Sequence, residues 1–91
     1  MKFEYDPEKS KSNLEKHGIS LEHATRLWFV SSVEIAARNL DETRFMIIGK
    51  LEGKFYSCIF TVREDAIRLI SARRSRKNEE EIYHEKIKET N

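Results

Sequence analysis

The chain has 91 residues, a formal net charge of +1, 38% hydrophobic and 36% charged residues. That length holds one small, thin-cored domain, expected to span residues 1–91, and the middle third is too apolar and aromatic for a disordered chain. The single cysteine, Cys58, excludes an internal disulfide, no apolar run approaches the ~20 residues of a membrane span, and no secretory signal opens the chain, so a reducing cytoplasm is the expected address.

Residues 3–5 alternate apolar and polar and read as a short strand. Asp6 is a good helix N-cap, with Pro7 at the first helical position and Glu8 in the first turn. This helix should reach Lys16 or His17 and stop at Gly18. Leu14 is its one large aliphatic residue, and Ser10, Asn13 and His17 share a face by helical spacing. Such a helix is either a surface element pinned at its ends or a platform presenting polar groups to a ligand. Ser20 caps a second helix, residues 21–29, whose stripe of Leu21, Ala24, Leu27 and Trp28 is core.

Four strands follow, at residues 33–38, 44–51, 54–63 and 66–73. Glu52-Gly53 makes a tight hairpin and Glu64-Asp65 the next turn. The strands joined by these short turns should be antiparallel neighbours. Residues 45–48 and 56–62 are apolar on both parities, which implies cover on part of both faces. A last helix begins near Ser75, with Glu79, Glu80 and Glu81 at its start and Lys86 and Lys88 at its end. The expected architecture is α+β: a short β arm, two helices, an antiparallel meander and a C-terminal helix.

Charge is unevenly placed. Arg63 to Lys77 contains six basic residues against Glu64 and Asp65, whereas the stretch from Asn78 onward is acidic. A basic segment of this kind binds phosphate or is simply a solvated face. There is no Gly-rich phosphate loop and no nucleophile elbow, and one cysteine without a His-x-x-x-His pair argues against a zinc site. What remains suits metal-free RNA cleavage, which needs a base for the 2′-hydroxyl, cations for the phosphorane and an acid for the leaving 5′-oxygen. His17, at a helix end beside Lys16, is the candidate base or acid. Arg63, Arg68, Arg73 and Arg74 are candidate phosphate ligands. Arg73 and Arg74 should point to opposite faces of their strand, with Arg68 on the parity of Arg74. The bland alternatives are a histidine paired with the helix dipole, arginines protecting a strand edge and Tyr83 packed at the core margin.

Read in order, several segments resemble the BrnT toxin family: Phe3-Glu4-Tyr5-Asp6-Pro7-Glu8-Lys9, Asn13 with Lys16-His17-Gly18-Ile19, Glu42-x-Arg44-Phe45, Thr61-Val62-Arg63, the run Arg68 to Ser75, then Glu80 and Tyr83. Tyr5 and Leu21 stand where that family commonly has tryptophan and phenylalanine, and Ser31-Ser32 replaces a common Asp-Pro. The resemblance implies a RelE/ParE-like toxin fold and metal-independent endoribonuclease activity that inhibits translation. It also implies neutralisation by a BrnA-type ribbon-helix-helix antitoxin, with the pair repressing its own operon through operator DNA. On this reading His17, Lys16, Arg73, Arg74, Glu42 and Tyr83 are the candidate catalytic residues. Arg63, Arg68, Arg76 and Lys77 bind RNA phosphate, with no metal or other cofactor. The alternative is a non-catalytic RNA- or partner-binding module acting mainly as a co-repressor.

Overall fold

The structure, a computed structural model, describes residues 1–37 and 43–89. Strand β1 (Lys2–Glu4) leads into α1 (Pro7–His17) and α2 (Leu21–Ala24), which tightens into a 3₁₀ segment, Thr25–Phe29. Strands β2 (Ser32–Ala37), β3 (Arg44–Leu51), β4 (Lys54–Arg63) and β5 (Ala66–Arg74) follow, then α3 (Lys77–Glu89). The five strands form one mixed sheet in the order β1-β5-β4-β3-β2. The pairs β2–β3, β3–β4 and β4–β5 are antiparallel, and the β arm lies parallel to β5, with Phe3 opposite Ile67. The α+β architecture expected from the sequence is therefore the one observed.

The capping chemistry behaves as its residue types dictate. Asp6 accepts a hydrogen bond from the Glu8 N–H at 2.8 Å, and Gly18 ends α1 at φ 75°, where its N–H reaches the Leu14 carbonyl. The second helix differs from the single α-helix expected over residues 21–29. Its inward residues Leu21, Ala24 and Leu27 recur every three positions and are fully buried, which suits three residues per turn better than 3.6. Thr25 Oγ1 donates to the Glu22 carbonyl where the helix tightens. The last helix also starts later than Ser75. The Ser75 N–H still donates to the Phe55 carbonyl and prolongs the β4–β5 ladder, so helical geometry begins at Lys77.

One face of the sheet carries the main core. Ile47, Cys58, Phe60, Leu69 and Ala72 pack against Ile19, Leu21, Ala24 and Leu27, and the edges of Phe3 and Phe60 meet Trp28 at centroid distances of 5.3 and 5.0 Å. Each large aliphatic or aromatic side chain so buried contributes about 1.5–3 kcal/mol. Trp28 is thus a packing residue. Gly49 lets the 3₁₀ segment approach, because a Cβ there would stand 3.1 Å from the Leu27 side chain.

Helix α1 docks by hydrogen bonds rather than by apolar contact. Leu14 points outward and is half exposed, whereas Ser10 and Asn13 are buried. Ser10 Oγ accepts from the N–H groups of Leu21 and Glu22, capping the next helix. Asn13 Nδ2 donates to the carbonyls of Ile19 and Ala72, and its Oδ1 accepts from the Ala72 N–H. The Asn13 amide therefore pairs with β5 as the next strand would, beyond the point where β1 ends. It satisfies backbone groups that an edge strand otherwise leaves open.

Candidate nucleic-acid interface

The register of β4 and β5 decides which arginines share a face. Ser57, Ile59, Thr61 and Arg63 alternate onto one side of β4. Their partners are Arg73, Ser71, Arg68 and Ala66, because the register shifts by one residue between Ile59 and Phe60. Ile70 is the extra residue, and paired residues across a ladder point the same way. Arg63, Arg68, Ser71 and Arg73 thus lie on one face, the face that α3 crosses. Arg74 lies on the other, its guanidinium 5.8 Å from the centre of the Tyr56 ring. Simple alternation had paired Arg68 with Arg74; the bulge overturns that, while Arg73 and Arg74 diverge as expected.

Arg73 is held firmly. Its Nη1 and Nη2 donate to Glu79 Oε1 and Oε2 at 2.9 and 2.8 Å. Glu79 also accepts from the Ser57 hydroxyl and from the Arg76 backbone N–H. Glu79 is the third residue of α3, so the last bond is half of a capping box. Burial pushes the Glu79 carboxyl pKa upward, but the bonds from Arg73, Arg76 and Ser57 and the charge of Arg73 outweigh it and hold it at about 2. The same pairing raises the Arg73 pKa against its partial burial.

Two grooves lie along the β5 edge, one where β1 and the start of α1 meet the β4–β5 turn, the other between α1 and β5. The first, about 710 Å³, is bordered by Phe3, Glu4, Tyr5, Pro7, Arg63, Glu64 and Arg68, two arginines against two carboxylates. Arg68 Nη1 lies 3.8 Å from Glu4 Oε1, and both side chains are more than a third exposed, so this pair is loose and solvated. The second, about 280 Å³, is lined by Lys9, Ser12, Lys16 and His17 on α1 and by Ile70 and Ser71 on β5. Lys9, Lys16 and His17 are exposed, and among the described residues no carboxylate lies within ion-pair distance of them. Asn13 forms part of this groove's wall, its amide engaged by the backbone.

The other candidates fall elsewhere. The Tyr83 hydroxyl donates to the Ser31 carbonyl at 3.4 Å, and its ring packs edge-on against Phe55. It sits towards β2, about three strand spacings or roughly 14 Å across the sheet from the seam that holds His17. Arg76 and Lys77 are exposed at the start of α3. Glu42 lies outside the described residues. The structure therefore brings His17 and Lys16 together with Ser71, and Arg63 with Arg68, but does not join Tyr83 to either set. Lys9 and Ser12 escaped assignment to the site, although their i, i+3 and i+7 spacing with Lys16 marks one helix face. Ser71 carried no local signal, because its place depends on the bulge.

Among the described residues no group of three His, Cys, Asp or Glu side chains is placed to hold a metal ion, and no helix is long and apolar enough to cross a membrane. No curated protein matches the sequence. A family model described as the ribonuclease toxin BrnT of type II toxin–antitoxin systems matches residues 5–79, which takes in α1, the whole sheet apart from β1, and the Arg73–Glu79 pair. The chain belongs to the BrnT family of ribonuclease toxins of type II toxin–antitoxin systems.

Proposed function

We propose that the protein is a metal-independent endoribonuclease whose active site is the α1–β5 seam. The observation that supports this most directly is the exposed set of Lys9, Lys16 and His17 facing Ser71 across a groove, with no carboxylate among the described residues paired to them. The RNA backbone lies along the seam, with Arg63 and Arg68 holding it at one end. His17 takes the proton from a 2′-hydroxyl as the 2′-oxygen bonds to phosphorus and the P–O5′ bond breaks. The Lys16 ammonium stabilises the charge on the phosphorane oxygens and supplies a proton to the departing 5′-oxygen. The products are a 2′,3′-cyclic phosphate and a 5′-hydroxyl. Arg73, with both arms on Glu79, contributes rigidity by tying β5 to the start of α3. Arg74, Arg76 and Lys77 extend the cationic surface, Tyr83 takes no direct part in this reading, and Glu42 keeps its candidacy from the sequence alone.

A type II toxin has a protein antitoxin. We infer a BrnA-like ribbon-helix-helix partner, acidic or amphipathic where it covers the basic seam, which carries the operator-DNA contacts while the toxin acts as co-repressor in the cytoplasm.

The test is a cleavage assay on the partner-free protein with labelled RNA and EDTA, comparing wild type, His17→Ala and Arg73→Ala. The expected result is a cyclic phosphate end, with a loss of about 10²–10⁴-fold in His17→Ala. Full cleavage by a folded His17→Ala variant would remove His17 from the reaction. Binding without cleavage by wild type, with or without ribosomes and added metal, would make the protein a binding module.

A further inference from the structure

We propose that Lys9 and Ser12 of α1, with Ser71 of β5 opposite them, form a second phosphate subsite that holds the nucleotide next to the one cleaved at His17. This rests on the reading of the seam as the RNA site, and it gives Lys9, Ser12 and Ser71 a phosphate of their own, apart from the one at Lys16 and His17.

The geometry comes from the helix. Lys9, Ser12 and Lys16 stand at i, i+3 and i+7, so all three follow one stripe of α1. Lys9 and Lys16 are separated by two turns, roughly 10 Å along the axis. That separation is too long for both ammoniums to grip one phosphate and long enough for each to meet a different phosphate of one strand. The groove below the stripe is floored by Asn13 and closed on its far side by Ile70 and Ser71. Asn13 offers nothing to a ligand, because its amide is spent on the Ile19 and Ala72 backbone. The free polar groups are then two hydroxyls and the cations. Among the described residues neither Ser12 nor Ser71 makes a side-chain hydrogen bond.

The chemistry of that set fits a phosphodiester. Ser12 and Ser71 approach from opposite walls and can each donate to a nonbridging oxygen, while Lys9 supplies charge. The bulge at Ile70 matters here, since it turns Ser71 onto the face that Arg68 occupies. Cationic side chains then follow the β5 edge: Arg63 and Arg68, among Glu4 and Glu64, beyond the start of α1, Lys9 in its first turns, and Lys16 near its end beside His17. A polyanion of regular charge spacing is the ligand that such a line recognises.

The experiment uses a fluorescent 2′-O-methyl oligouridylate, which binds but lacks the attacking hydroxyl. Affinity is measured against salt for wild type, Lys9→Gln, Ser12→Ala and the control Lys11→Gln. Lys11 is an exposed lysine of the same helix that does not line the groove. Removing one phosphate contact should weaken binding by at least about threefold and flatten the slope of log K against log salt by about 0.7. Lys9→Gln should show both effects, Ser12→Ala a smaller weakening with the slope kept, and Lys11→Gln neither. Equal losses in Lys9→Gln and Lys11→Gln would reduce the effect to net charge and overturn the subsite.

A second arm compares cleavage of uridylyl-uridine, which has one phosphate, with cleavage of a longer oligouridylate. Lys9→Gln should raise KM for the longer substrate by a clearly larger factor than for the dinucleotide. Cleavage that depends on His17 but is indifferent to Lys9 on both substrates would sink the subsite and leave the ribonuclease reading intact. Lys9-dependent binding by a wild-type protein that cuts nothing would keep Lys9 as a phosphate contact but overturn both its place next to a cleaved nucleotide and the cleavage reading.

Discussion

Glu79→Gln tests the electrostatic centre of the α3 docking. The substitution keeps the size and one carbonyl oxygen of the side chain but removes the charge facing Arg73. The carboxyl is held at about 2 in the folded protein against an ordinary value of 4.5. At about 1.4 kcal/mol per pKa unit the ionised group contributes about 3 kcal/mol at neutral pH. The side chains of Glu79 and Arg73 are only 7% and 28% exposed, so solvent screens little of this. The sign follows from the depressed value. The contribution is complete above pH 4.5, falls to less than half by about pH 3, and vanishes as the pH drops through 2. Urea unfolding should therefore show Glu79→Gln less stable by about 3 kcal/mol at pH 7, a large share of a small domain's total. The difference between the two proteins should shrink steadily below pH 4.5. Equal stability at pH 7, or a deficit that stays constant down to pH 3, would refute the assignment of this energy to the ionised Glu79 carboxylate and its bonds from Arg73, Arg76 and Ser57.

Two further outcomes follow from buried groups. Asn13→Ala should destabilise the fold by about 2–4 kcal/mol, because it orphans the Ala72 N–H and the carbonyls of Ala72 and Ile19. Chemical denaturation measures this, and a loss below about 0.5 kcal/mol would show that water replaces the amide. Cys58 is fully buried, and burial pushes its thiol pKa upward. It should resist Ellman's reagent in the native protein and react at once in urea. Rapid stoichiometric labelling without denaturant would contradict the packing of β4.

Elements whose causes are local were legible in the residues themselves. Asp6-Pro7 and Gly18 bracket α1 because a side-chain cap, a fixed φ and a left-handed stop act within one turn of the chain. Glu52-Gly53 makes the β3–β4 hairpin for the same reason, and the ordered motifs from Phe3 to Tyr83 were enough to place the family. Tertiary packing decided the rest. Ser10 and Asn13 read as a polar face, but whether such a face meets ligand or backbone depends on what lies opposite. Here α2 and the edge of β5 take up those hydrogen bonds, and only Lys9, Ser12, Lys16 and His17 remain for a ligand. Strand alternation predicts which side chains share a face only while the ladder keeps step. One extra residue at Ile70 puts Arg68 on the same face as Arg73 and Arg74 on the opposite one. The parallel pairing of β1 with β5 joins the chain's beginning to its last strand, across more than sixty residues, and no local propensity reports so distant a contact. The basic seam exists only because that contact, the Asn13 bridge and the bulge coincide.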